Sequence, residues 1–261
     1  MDERFSIRRV LGAIGRILKH HWVALLAVLA VLGLGRLGLE QLFDLAALNF
    51  QADEIAWPTA TSCVRVALNA LLTGAFLHLA LGGALGWKTS TRVVLAGFPT
   101  VYGVLLLIAL PHLVGAGLAT ATVAADAVMQ DVAWTKLKFG LAANLVSLLV
   151  YALISPAAAI AVAETASPAS ALASALASAL RLTRKRRLRI ALIEFASIML
   201  AAVLFAGSMS LPLLTLDAPQ AMRVIPLIRP VMDVLSIGLE MLVMAAIYQE
   251  LRRTPPAETA A

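Results

Sequence analysis

Apolar residues fall along this chain in long unbroken runs rather than in alternation. Six runs come within a few residues of the roughly 20 that an α-helix needs to cross a hydrocarbon core. They lie near 22–39, 66–86, 93–118, 139–162, 190–211 and 225–247. Continuous runs of this length predict helices, because a membrane β-barrel would show apolar and polar residues in alternation. Two further stretches carry helical periodicity without enough length or apolarity to cross. In 5–20, Val10, Leu11, Ile14, Ile17 and Leu18 recur at helical spacing, with Arg8, Arg9, Arg16 and Lys19 between them. That pattern predicts a basic helix lying in the headgroup plane, the alternative being a straight extension of the first span. In 168–182, Leu172, Leu176 and Leu180 recur every fourth residue beside Ser170, Ser174 and Ser178. Pro168 suits the first turn of a second interfacial helix, which leads into the fifth span.

The polar connections between spans are short. They leave too little chain for a second folded domain, since domains usually start at about 50 residues. The expectation is one all-α, polytopic transmembrane bundle spanning 1–261. The first run has a basic start, as a signal peptide does, but no clear small-residue cleavage site follows it and five more apolar runs do. It is read as a retained span.

Composition sharpens the class. Of 261 residues, 61% are apolar and only 14% charged, whereas soluble domains average about 25% charged. The net charge of +6 is explained by membrane orientation. If there are six spans, the N-terminal tail, the second-to-third and fourth-to-fifth connections and the C-terminal tail lie on one side. Those four regions hold 15 of the 21 basic residues. The opposite loops carry Glu40, Asp44, Asp53, Glu54, Asp126, Asp131 and Asp217. Basic loops stay inside, so both termini are expected in the cytoplasm and the protein in a bacterial inner membrane. Nucleic acid is not an expected partner. Cys63 is the single cysteine, which excludes an intrachain disulfide and reads as a small apolar residue. No metal or cofactor motif is present, and none of the sequence signatures of nucleotide binding or nucleophilic catalysis occurs.

The densest charge feature is Arg181, Arg184, Lys185, Arg186, Arg187 and Arg189, six basic residues in nine. Such a cluster fixes topology and also attracts anionic headgroups, at about 1 kcal/mol per basic residue near the surface. Polar residues inside spans are the other candidates, because burying them in lipid is costly. His78 belongs to a series of small residues at four-residue spacing, Ala70, Gly74, Gly82 and Gly86. This spacing lets helices approach closely, and it predicts an interhelical hydrogen bond for the imidazole. Glu194 is expected to pair with Arg187 or Arg189. Asp233 and Glu240 lie seven residues apart in the sixth span, and Asn144 lies in the fourth. Together with His78 they form either a polar route across the membrane or a buried structural network. Prolines 99, 111, 156, 212, 226 and 230 are expected to mark kinks or span ends.

The last hundred residues carry a recognisable order of features. Glu164 ends the fourth span, followed by Ala171-Leu172, Ser178, Leu182-Thr183-Arg184, and a closing Ile247-Tyr248-Gln249-Glu250-Leu251-Arg252. This resembles the six-helix membrane domain of glycerophosphoryl diester phosphodiesterases and its free-standing bacterial relatives. Lys185 stands where that family usually has Gly, and Ala159 where it often has Pro. In the family the phosphodiesterase activity belongs to a separate soluble barrel. The resemblance therefore implies a membrane module in a lipid or envelope context, not a hydrolase. The expected role is non-enzymatic: lipid contact, scaffolding or envelope maintenance. Anionic headgroups on the cytoplasmic face are the expected partners. The alternative is a transporter or permease subunit for a small or lipid-like substrate.

Overall fold

The computed structural model describes residues 5–49, 56–82, 87–125, 132–163 and 171–253. All the regular structure among them is helical, in seven elements: α1 (Ile7–Asn49), α2 (Ala56–Ala80), α3 (Trp87–Ala125), α4 (Val132–Ala163), α5 (Ala171–Thr183), α6 (Arg187–Thr215) and α7 (Ala218–Arg253). Every one except α5 is long and apolar enough to cross a membrane. The chain is thus an all-α, multi-pass bundle, with each predicted run inside its own helix apart from the end of the second.

Neighbouring helices run antiparallel. Between α1 and α7, Ser6 approaches Glu250, Leu29 approaches Gly238 and Gly33 approaches Val234. Between α3 and α4, the Gly97 position meets the Ala161 carbonyl and Gly115 meets Ala143. The interior helices are α4, which touches α2, α3, α5, α6 and α7, and α7, which touches α1, α2, α4 and α6. The core is concentrated at one end of the bundle. Val10, Phe76, Leu77, Val101, Ala157, Ala179, Ile190, Ile247 and Leu251 are all buried there. That end carries the start of α1 and the finish of α7. By contrast, most of α6 after Ser197 faces outward with leucines, valines and methionines, as a lipid-facing surface does.

Three local expectations are corrected. Residues 7–20 are not a separate interfacial helix but the first turns of the unbroken 43-residue α1. Their apolar stripe is also divided. Val10, Ala13 and Ile17 are buried in the protein core, while Leu11 and Leu18 stay exposed. The arrangement follows from α7, whose last turns offer a protein surface closer than lipid. The second correction concerns α5. Its buried row is Ala175, Ala179 and Thr183, with Leu172 and Leu176 packing beside it and Leu180 more exposed. Small side chains let this helix lie close against α3 and α4, where Leu172 fills the space left by Gly103. The third concerns the small-residue series on α2. Ala70 and Gly74 do pack inward, Gly74 against Val94 of α3. Gly82, however, has φ +87°. It ends the helix in the left-handed conformation that glycine adopts without strain, and the helix stops at Ala80. Gly86 lies outside the described residues.

Helices α3 and α4 continue through Pro99, Pro111 and Pro156. Proline leaves carbonyls in the preceding turn without their usual donors, and neighbouring hydroxyls repair such gaps in membranes. Close to such a gap, Ser147 of α4 donates to the Ile108 carbonyl at 3.1 Å, three residues before Pro111 and next to the Leu107 carbonyl that the proline leaves without its donor. The α3–α4 seam is tight at Gly115, where a Cβ would lie 2.9 Å from that of Ala143. Gly115→Ala should overpack it by roughly 2 kcal/mol, partly offset by about 1 kcal/mol of helix propensity. We expect a net loss of about 1 kcal/mol in detergent unfolding. An unchanged or raised midpoint would show that the seam relaxes freely.

Candidate functional site: a basic turn above a buried carboxylate group

Helix α5 ends where the buried Thr183 hydroxyl donates to the Leu180 carbonyl at 3.4 Å. The Arg186 amide then donates to the Thr183 carbonyl at 2.8 Å. This closes a tight turn of Arg184, Lys185 and Arg186 before α6 begins. The turn throws Arg181, Arg184, Lys185 and Arg187 into the open, while Arg186 is half-buried. No carboxylate occurs in the sequence from Arg181 until Glu194. Arg189 belongs to a different group. Its guanidinium donates to the Phe5 carbonyl at 2.7 Å and so ties the start of α6 to the residue before α1.

Glu250 makes the second tie. It is 2% exposed, accepts from the Ser6 amide at 3.4 Å and lies 3.8 Å from the Arg9 guanidinium. Arg186 is within its field. Burial pulls the Arg186 guanidinium below its ordinary pKa, the Glu250 carboxylate pushes it back up, and Arg189 lowers it again. The rest of the closing motif is equally occupied. Arg252 donates to the Tyr248 hydroxyl at 2.9 Å and stacks over its ring. Gln249 donates to the Ala80 carbonyl at 3.2 Å, capping the last turn of α2, where helical carbonyls need donors. The residues behind the family resemblance that fall within the described structure are therefore packing and capping residues of one bundle end. Glu164 lies outside the described residues.

Within the span region, one expected pairing is corrected. Glu194 does not meet Arg187 or Arg189. Those residues are seven and five positions away, whereas neighbours on a helix face are three or four apart. Instead Glu194 is fully buried and turned toward α4, where Ser155 donates to its Oε1 at 3.2 Å. Its Oε2 has no hydrogen-bond partner. Glu240 of α7 lies within electrostatic range of Glu194, and Tyr151 of α4 is near both. The Tyr151 hydroxyl donates to the Glu240 backbone carbonyl at 3.5 Å. The group is thus Tyr151, Ser155, Glu194 and Glu240. Of the four residues expected together, only Glu240 belongs to it by a described contact. Asp233 is half-buried one stretch earlier on α7. His78 is half-buried on α2 with its Nε2 unpartnered, so the expected interhelical bond is absent from that nitrogen. The Asn144 and His112 side chains lie outside the described ones. Tyr151 and Ser155 carried no signal in a single sequence, since hydroxyls on an apolar helix are common.

Fold and site together define a multi-pass helical membrane protein with one strongly basic face and a small carboxylate–hydroxyl group buried between spans. Compared with protein families, curated proteins and solved structures, the chain matches none.

Proposed function

We propose that the protein is a non-enzymatic inner-membrane module. Its basic end faces the cytoplasm and contacts anionic lipid headgroups, in a scaffolding or envelope-maintenance role. The observation that carries this reading is the α5–α6 turn. Arg181, Arg184, Lys185 and Arg187 stand exposed at the end of α5, in the turn and at the start of α6, where α5 is packed against α3 and α4. Charges held in this way on a rigid element suit a headgroup layer. The resemblance to the phosphodiesterase membrane domain belongs to the same proposal and points to the same lipid context. The test is flotation of the purified chain, reconstituted in nanodiscs, with anionic vesicles. Arg184→Gln combined with Lys185→Gln should weaken association roughly thirtyfold, at about 1 kcal/mol per charge, with the unfolding midpoint unchanged. Equal association of a folded variant would reject the lipid contact. The second reading, a transporter or permease subunit, is favoured by one observation, two carboxylates, Glu194 and Glu240, within electrostatic range of each other on neighbouring spans.

A further inference from the structure

A cavity of about 220 Å³ opens at the basic end of the bundle, between the first half of α1 and the facing ends of α2 and α7. It is separate from the α5–α6 turn and shares no residue with it. Arg16 and His20 lie one helical turn apart on α1, with His21 beside them, and Arg253 reaches in from the last turn of α7. Among the described residues, none that lines it is acidic. Ile17 and Leu81 supply an apolar wall. Helix α2 stops at Ala80, and nothing lies within 4 Å of where a Cβ at Gly82 would be.

We propose that this cavity binds a phosphate group presented at the membrane surface. The charge balance decides between an anion and a cation. A helix end presents about half a negative charge, and α2 and α7 both point their carbonyl ends here. The Ala80 carbonyl of α2 is already taken by Gln249. Against these two half charges stand the two guanidinium groups of Arg16 and Arg253. The guanidinium fork also matches phosphate oxygens in pairs.

Size and depth narrow the ligand. Pockets that enclose drug-sized molecules run about 300–1,000 Å³, so this one admits a headgroup but not a whole lipid. Trp22 follows His21 directly and is exposed, and exposed tryptophan favours the headgroup level. A phosphate seated between Arg16 and Arg253 would leave any attached acyl chain beside the apolar wall. The shared chemistry is a phosphate monoester, carried either by an anionic lipid such as phosphatidic acid or by a soluble ion.

The test uses the full chain in detergent, with native mass spectrometry reading bound phosphatidic acid against phosphatidylcholine. Arg16→Gln combined with Arg253→Gln should weaken phosphatidic acid binding about tenfold while the unfolding midpoint holds. Arg16→Lys with Arg253→Lys should restore it only in part, because lysine keeps the charge without the fork. In an Arg184→Gln/Lys185→Gln background, which removes the headgroup contact proposed for the basic turn, the loss caused by Arg16→Gln with Arg253→Gln should persist, which separates this site from the turn. Displacement by millimolar inorganic phosphate would assign the site to a soluble ion, and persistence of the lipid would assign it to a headgroup. Wild-type affinity in a folded Arg16→Gln/Arg253→Gln protein would overturn the proposal. So would the absence of any further loss when Arg16→Gln and Arg253→Gln are added to the Arg184→Gln/Lys185→Gln protein.

Discussion

Glu194→Met is expected to raise the stability of the protein in detergent by about 2 kcal/mol, seen as a rise of several degrees in the unfolding midpoint. Glu194 is fully buried, and one of its carboxylate oxygens has no partner. An unsatisfied buried polar group costs about 1–3 kcal/mol, more when charged. Glu240 lies within electrostatic range and, as another carboxyl group, supplies no counter-charge. Methionine fills a similar volume and adapts its shape to irregular gaps. Ser155 loses its acceptor but can return its hydroxyl to the carbonyl four residues back in its own helix. Replacing buried charged groups by apolar ones is often stabilising by 1–4 kcal/mol. Glu194→Gln, which keeps the Ser155 contact, should give a smaller rise. A rise would mark Glu194 as a residue kept for something other than folding, which favours transport or binding between the spans. A fall of 1 kcal/mol or more would make the group a structural tie and weaken that reading.

Glu250→Ala should act in the opposite direction, lowering stability by roughly 2–3 kcal/mol. Removing one member of a fully buried ion pair costs about 3–5 kcal/mol, because the other charge is left stranded. Arg9 is 45% exposed and can turn to water, which trims the figure. The Ser6 amide loses its acceptor as well. The loss should be local in its first effect. Limited proteolysis is expected to cut near Arg8 and Arg9 in the variant, and amide exchange over 6–17 should speed up while α3 and α4 stay protected. Unchanged exchange over 6–17 would show that Val10, Ala13 and Ile17 hold the segment without the carboxylate.

The six spans were legible because hydrocarbon thickness imposes a length that composition alone reveals. The helix ends were not. α1 overruns its predicted span at both ends, and α7 begins seven residues earlier than its run and ends six later, because polar helical turns carry no hydropathy signal. Which face points inward was also hidden. A membrane helix is apolar all round, so periodicity could not say that Glu194 turns toward Ser155 rather than toward the arginines. The basic cluster was legible as a charge feature. The separation of Arg189 from it was not, because its acceptor is the carbonyl of Phe5, 184 positions away. Glu250 was noticed only as one letter of a closing motif. A lone acid between Gln249 and Leu251, followed by two arginines, gave no reason to expect burial.

The tie between Ser6 and Glu250 spans 244 positions of chain. A ribosome adds about 5–20 residues per second, so the opening segment exists for roughly 10–50 seconds before its partner is made. During that wait Val10, Ala13 and Ile17 have no protein to cover them, and the bilayer surface is the nearest apolar host. The opening turns of α1 therefore reach the packing of the finished fold only after translation of the final helix is complete.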